Sequence, residues 1–155
     1  MSDLQILILE IESKIDHFET SNFAVSKSTV GWQVDHSLRV INGVITQIKK
    51  SNDNEYKWKF NFPRLIVFTL NKIPRGKANA PKTVRTYEEI LQQDLRNQIE
   101  IAKKLILEFN SLPKNSNFKH PYFGNLNLKQ SIKFLQIHTN HHLKIINDIL
   151  KPLTH

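Results

Sequence analysis

The chain of 155 residues contains no cysteine, and it has only 4 glycines and 6 prolines. Without cysteine there are no disulfide bonds, no cysteine-ligated zinc or iron–sulfur sites, and no thiol nucleophile from the chain itself. So few glycines and prolines, with 23% charged residues, argue against a disordered or collagen-like polymer. Because cysteine is absent, any bound metal must use histidine, aspartate or glutamate ligands.

Long apolar runs are also missing. No stretch approaches the roughly 18 uninterrupted apolar residues of a membrane span, and the start, Met1 to Ile6, lacks the basic residues of a secretory signal. We therefore expect a cytoplasmic protein that does not enter a membrane. The length suits one core, so residues 1–155 are predicted to form a single domain.

Basic residues and histidines are the two residue classes in excess. Lysine and arginine number 22 against 14 acidic residues, a formal net charge of +8, and there are 7 histidines. The lysines are spread over all the predicted long helices, with no recognition stripe and no helix-turn-helix motif, so a nucleic-acid partner is disfavoured. One alternative stays open: a non-catalytic basic bundle that binds nucleic acid or a protein, with a structural or vestigial metal site.

Apolar residues recur at helical spacing along most of the chain, which predicts four long helices and a short one. Capping signals mark several of their starts. The predicted helices run from Asp3 to about Thr20, from caps at Ser26–Thr29 to about Lys50, from Arg64 to about Asn71, from a capping box at Thr86 to about Asn110, and from a capping box at Asn127 to Leu150. No convincing strand pair is evident, so the prediction is an all-α four-helix bundle with a crossover connection and a short extra helix.

Two segments between these helices are predicted to be non-helical. Aromatic residues alternate from Tyr56 to Phe62 like a strand, but without a partner strand we expect an extended crossover that lays its aromatics on the helical core. Residues 72–82 contain two prolines and a glycine and are predicted to be an irregular loop.

The last helix carries His138 and His142 four residues apart within its apolar arc, and His141 lies just beyond the edge of that arc. Two inward-facing imidazoles at this spacing can chelate a divalent metal, although an isolated pair is more often structural. A third ligand is needed, and the remaining candidates are His17, His36, His120 and His155. His36 lies about 140° from the centre of its helix's apolar stripe, so periodicity does not place it in the core.

Trp32-Gln33-Val34-Asp35-His36, followed by His138-Thr139-Asn140-His141-His142, resembles the metal-binding pattern of the DinB-like (damage-inducible B) superfamily. The segments at residues 74–82 and 120–126 resemble signatures of an uncharacterised bacterial subgroup of these proteins. The resemblance implies a DinB-like four-helix bundle in which His36, His138 and His142 hold a metal. The chain departs from many members after His142, where Leu143-Lys144-Ile145 stands in place of Arg-Gly-Gln.

The resemblance also implies an enzyme whose metal activates water or a low-molecular-weight thiol for transfer or hydrolysis of a small molecule, and it implies a homodimer. Zn²⁺ and Ni²⁺ are the metals that imidazole ligands favour. A thiol cosubstrate would supply the sulfur that this chain lacks.

Four further residues are candidates for the pocket or for substrate binding: Trp32, Arg75, His120 and His141. Three of them have a simpler interpretation, because Trp32 can be plain core, Arg75 can belong to a solvated loop, and the segment around His120 can merely anchor the last helix.

Overall fold

The computed structural model describes residues 3–76, 89–109 and 111–152, and most of these residues are helical. The helices are α1 (Asp3–Glu12), α2 (Val30–Lys49), α3 (Phe62–Leu70), α4 (Gln92–Phe109) and α5 (Leu128–Leu150), with short 3₁₀ turns at Ile15–His17 and Asp53–Glu55 and two strands, β1 (Asn117–His120) and β2 (Gly124–Asn127). None of these helices is both long enough and apolar enough to span a bilayer.

The helix starts follow the capping chemistry of the sequence. The Thr29 side chain accepts a hydrogen bond from the backbone N–H of Trp32, at 3.2 Å, and Asn61 does the same for Arg64 at the start of α3. Asn127 and Gln130 form the predicted capping box at the start of α5. These contacts satisfy N–H groups that have no partner inside the helix, and they fix where each helix begins.

Four helices pack around one apolar core, in which α1 contacts α4 and α5, and α2 contacts the same two helices from the other side. Their fully buried side chains are almost all aliphatic. Together with Ile15 of the 3₁₀ turn and Leu126 of β2, the largest fully buried side chains are Leu4, Ile8, Ile11, Leu38, Ile41, Ile45, Ile48, Leu95, Ile99 and Phe109. The predicted apolar stripes of the long helices are therefore the surfaces that meet.

A small antiparallel sheet corrects the expectation that the chain has no strand pair. β1 and β2 pair with Phe118 opposite Leu126 and His120 opposite Gly124, so residues 121–123 form the connecting loop. Gly124 has φ +72°, the left-handed conformation that ends such a loop and that glycine adopts without steric cost. Gly124 directly after three loop residues is the sequence feature that could have predicted this hairpin.

The buried guanidinium of Arg64 holds this hairpin to α3. Its Nη1 donates to the carbonyl oxygens of Phe123 and Asn125, both at 3.3 Å, and its Nη2 donates to the carbonyl of Lys59. The crossover before α3, α3 itself and the hairpin are thereby joined at a single side chain.

Two predicted boundaries are wrong. Helix α1 ends at Glu12 rather than Thr20, because i→i−3 bonds such as Lys14 N–H to Ile11 C=O tighten the chain into a 3₁₀ turn while Ile15 stays buried. Residues 89–91 are not helical, so α4 begins at Gln92. The Thr86 side of the predicted capping box, and residues 77–82 of the predicted loop, lie outside the described residues.

The crossover from Tyr56 to Asn61 is non-helical, as predicted, but it does not lay its aromatics on the core. Trp58, Phe60 and Phe62 are 62%, 66% and 61% exposed. The lysines on the other face of the segment are exposed as well, so the segment runs along the surface and neither face reaches the core.

Gly31 fixes the start of α2 against the turn that follows α1. Its N–H donates to the Phe18 carbonyl at 2.7 Å, and a Cβ at this position would lie 2.8 Å from that same oxygen. We expect Gly31→Ala to lower the free energy of unfolding by about 1–3 kcal/mol, because backbone atoms must move to relieve the contact.

Gly43 is the matched control, since a Cβ added there would have no atom within 4 Å and the residue is interior to the same helix. Gly43→Ala should raise the free energy of unfolding by up to about 1 kcal/mol through helix propensity. Urea titrations of both variants measure the difference, and equal effects of the two substitutions would contradict this packing.

Candidate metal centre

A cavity of about 390 Å³ lies between α2, α5, the turn of the hairpin and residues 73–76. The wall that α2 contributes is a second stripe of that helix, which overlaps its aliphatic core stripe at Val40 and Val44. Its members recur at intervals of three or four residues: Trp32, His36, Arg39, Val40, Gly43, Val44 and Gln47. The opposite wall comes from α5 and includes Phe134, His138, His141 and His142.

His36, His138 and His142 converge on one side of this cavity. Each offers a ring nitrogen, and the three nitrogens lie within 4.8 Å of one another. The ring centroids are 4.5 to 5.2 Å apart for the three pairs. His36 and His142 are buried and His138 is half-buried. Two helices that are distant in sequence thus bring three imidazoles to one point.

The spacing of the two α5 histidines suits a shared metal ion. Their Nε2 atoms are 3.3 Å apart, and two nitrogens bound at about 2.0–2.1 Å in tetrahedral geometry are separated by about 3.3 Å. The other ring nitrogen of His138, Nδ1, is buried and has no hydrogen-bond partner among the described residues. Three imidazoles form a donor set that suits zinc, nickel, copper or iron.

Gln33 orients His142, and sequence reasoning missed it. Its Oε1 lies 2.6 Å from His142 Nδ1, and its own amide nitrogen donates to Ser26 Oγ at 3.3 Å. Because the amide oxygen can only accept, the His142 ring carries its proton on Nδ1 and presents Nε2 with a free lone pair. The only sequence feature that could have indicated this role is a glutamine three residues before His36 on the same helix, and that feature is weak.

Burial keeps the α5 histidines neutral. Desolvation lowers the pKa of His138 and of His142 well below the ordinary histidine value, and charge on the neighbouring histidines lowers both further. A metal ligand must be the neutral imidazole, so these positions do not have to lose a proton near neutral pH to bind.

His36 is 4% exposed, although helical periodicity alone places it off the core stripe. Helix α2 is covered by several elements, because α4, α5, β1 and the 3₁₀ turn after α1 all contact it. The indole of Trp32 stacks on the His36 ring with centroids 5.1 Å apart and planes 8° from parallel. Trp32 therefore lines the cavity and holds one imidazole in place.

His141 lines the cavity but does not belong to the three-histidine cluster. Its ring forms a hydrogen bond with the backbone of Ile73, and burial together with the Arg75 charge lowers its pKa. His141 thus links α5 to the segment before Pro74.

Arg75 does not reach the cavity. Its guanidinium pairs with Asp148 of α5 at 2.7 Å, and it lowers the pKa of that carboxyl together with Lys151. Of the other histidines, His17 lies in the 3₁₀ turn after α1 and His155 lies outside the described residues.

His120, at the end of β1, lines the cavity on the hairpin side. Its Nδ1 accepts hydrogen bonds from the backbone N–H groups of Tyr122 and Phe123, both at 3.1 Å. The ring stacks on Phe123 with centroids 4.4 Å apart and meets the Phe134 ring edge-on at 4.6 Å. The imidazole is therefore fixed in position and has its proton on Nε2.

No protein-family model matches the chain, and neither the curated proteins nor the solved structures contain a match.

Replacing Gln33 with leucine should weaken metal binding about 10–100-fold, because the Nδ1–H of His142 loses its acceptor and the ring its orientation. Competition with a chromophoric zinc chelator measures the affinity. Gln93→Leu is the control, since Gln93 is exposed on α4 and bonds only to Asn97 among the described residues. Equal zinc affinity in the two variants would show that Gln33 does not orient a ligand.

His120 makes the stability of the protein depend on pH. Burial lowers its pKa from 6.5 to about 4, so the unfolded chain takes up a proton before the folded one as the pH falls. The contribution of His120 to the free energy of unfolding is fully present above its pKa in the unfolded chain. It is lost progressively as the pH falls from about 6.5 to about 4.

His120→Asn retains an acceptor for the two backbone N–H groups and removes the titration. As the pH falls from about 6.5 to about 4, the free energy of unfolding should drop by about 2–3 kcal/mol less in this variant than in the original protein. Urea unfolding at a series of pH values tests the difference, and parallel pH curves for the two proteins would contradict it.

Proposed function

We propose that the protein is a metal-dependent enzyme of the DinB-like kind, in which His36, His138 and His142 bind a divalent metal ion. The observation that carries the proposal is the convergence of these three imidazoles, with ligand nitrogens within 4.8 Å, beside a cavity large enough for a small molecule. The same three residues are those that the family resemblance assigns to the metal, and the four packed helices are compatible with the family's four-helix bundle.

The chemistry follows from the charge of the ligands. A divalent metal held by three neutral imidazoles keeps its full charge, so it lowers the pKa of water or of a thiol that binds to it. Side chains of the protein hold the ligands in place: Gln33 and Trp32 orient two of the imidazoles, and Phe118, Phe123 and Phe134 line the cavity beside them. The proposed reaction is transfer or hydrolysis on a small electrophile, with zinc or nickel as the metal and a low-molecular-weight thiol as one candidate cosubstrate.

The cavity favours a catalytic over a structural metal. Structural zinc sites are closed by four protein ligands, whereas catalytic sites keep a position for water or substrate. Among the described residues, three histidines form the cluster, and all three also line the cavity. This arrangement leaves room for an exogenous ligand next to the imidazoles.

Metal analysis of the purified protein tests the proposal. After loading with zinc and removal of excess ion, the original protein should retain a stoichiometric metal, and His138→Ala combined with His142→Ala should lose it. His141→Ala is the matched control, because it removes a neighbouring imidazole that bonds to Ile73, and it should keep the metal. Unchanged metal content in the double variant would falsify the proposed site.

Cobalt substitution distinguishes the two nucleophiles. Thiolate binding to Co²⁺ adds an intense charge-transfer band in the near ultraviolet, whereas water does not. Titration of the cobalt protein with cysteamine should produce this band if the site accepts a thiol. A cobalt protein without the band would restrict the proposal to water as the nucleophile.

A further inference from the structure

The hairpin end of the cavity carries a hydrogen-bond donor that the metal does not use. The Nδ1 atom of His120 is occupied by two backbone N–H groups, so the ring must carry its proton on Nε2, the nitrogen remote from the backbone. None of the described residues accepts a hydrogen bond from Nε2, although the ring is half-buried among aromatic side chains. Nε2 is not one of the buried polar atoms that lack a partner among the described residues, so it is accessible and free to donate to a ligand in the cavity that His120 lines.

The distance between this donor and the three-histidine cluster is the length of a small molecule. The ring of Phe134 packs against both, with its centroid 4.6 Å from that of His120 and 5.5 Å from that of His138. The centroids of the two histidines can be no further apart than the sum of these distances. A short ligand can therefore reach both ends, and Phe134 is one of the apolar side chains that line the cavity it would occupy.

The charges of the lining residues indicate the sign of that ligand. Arg39 and Lys119 are among the described residues that line the cavity, and no aspartate or glutamate is. Asp35, which pairs with Arg39, also accepts from Gln98 of α4 and is not part of the lining. An anionic group would thus meet the Lys119 ammonium, the guanidinium of Arg39 whose charge Asp35 partly offsets, and a neutral N–H donor, and no carboxylate of the described lining would repel it.

We propose that the cavity binds a small organic anion with a short apolar segment, and that the Nε2–H of His120 donates a hydrogen bond to its carboxylate. His120 is then a residue that determines which ligands bind. This inference deepens the proposed function, because it names the ligand class of the same cavity, but the His120 contact does not require the metal.

Hexanoate is the probe, and the test uses the full chain in zinc-loaded and metal-stripped forms. Isothermal titration near neutral pH should show that hexanoate binds and that hexylamine does not. His120→Asn keeps an acceptor for the hairpin N–H groups and lacks a donor at the Nε2 position, so it should bind hexanoate about tenfold more weakly in both forms. His17→Asn is the same substitution at an exposed histidine that does not line the cavity, and it should change the affinity less than twofold.

A second readout uses the original protein and does not depend on how a variant folds. With ¹⁵N-labelled histidine, the signal of the His120 Nε2–H should be visible near neutral pH and should shift on addition of hexanoate. Absence of hexanoate binding, an unshifted His120 signal, equal affinity in His120→Asn, or preference for the amine would each overturn the inference.

The two proposals fail separately. If the zinc-loaded protein binds hexanoate equally well with and without His120 but loses the probe when stripped of metal, the carboxylate binds the metal and the His120 inference is wrong. If the chain holds no metal yet binds hexanoate through His120, the metal proposal is wrong and the ligand class stands.

Discussion

The hydrogen bond between His142 Nδ1 and Gln33 Oε1, at 2.6 Å, is the contact on which the geometry of the candidate centre depends. It joins the first turns of α2 to the second half of α5, and it fixes which nitrogen of His142 faces the other two imidazoles. Ser26 in turn accepts from the Gln33 amide, so the segment before α2 sets the orientation of the glutamine. A local turn thereby controls the protonation site of a residue more than a hundred positions away.

Helix α2 can hold both a core and a site because two of its faces are covered. One stripe of aliphatic side chains packs against α4 and α5, and the stripe from Trp32 to Gln47 forms a wall of the cavity. The hydrogen bond from the Gly31 N–H to the Phe18 carbonyl fixes where this helix begins, and so which residues face each side. His36, which helical periodicity leaves outside the core stripe, is buried among the residues that line the cavity.

The sequence was sufficient for the helices with strong caps and for the inward direction of His142, because both depend on local chemistry and periodicity. α2, α3 and α5 begin within a residue or two of the predicted positions. The burial of His36 and the part of Gln33 could not be predicted, because they depend on which elements cover α2 from a distance. The exposed crossover aromatics and the hairpin are errors of the same origin, since pairing and burial of extended segments are decided by tertiary contacts.

The same physics gives the cavity its chemical character. Burial holds His138, His142 and His120 in the neutral form, so the imidazoles contribute lone pairs and N–H donors but little charge. With a divalent ion bound, the positive charge of the site would come from the metal and from Arg39 and Lys119 at the wall. The net charge of +8, which is dispersed over the surface, therefore says less about the ligand than this small set of lining residues does. If a metal binds there, a neutral histidine set leaves the metal as the main centre of positive charge at that end of the cavity.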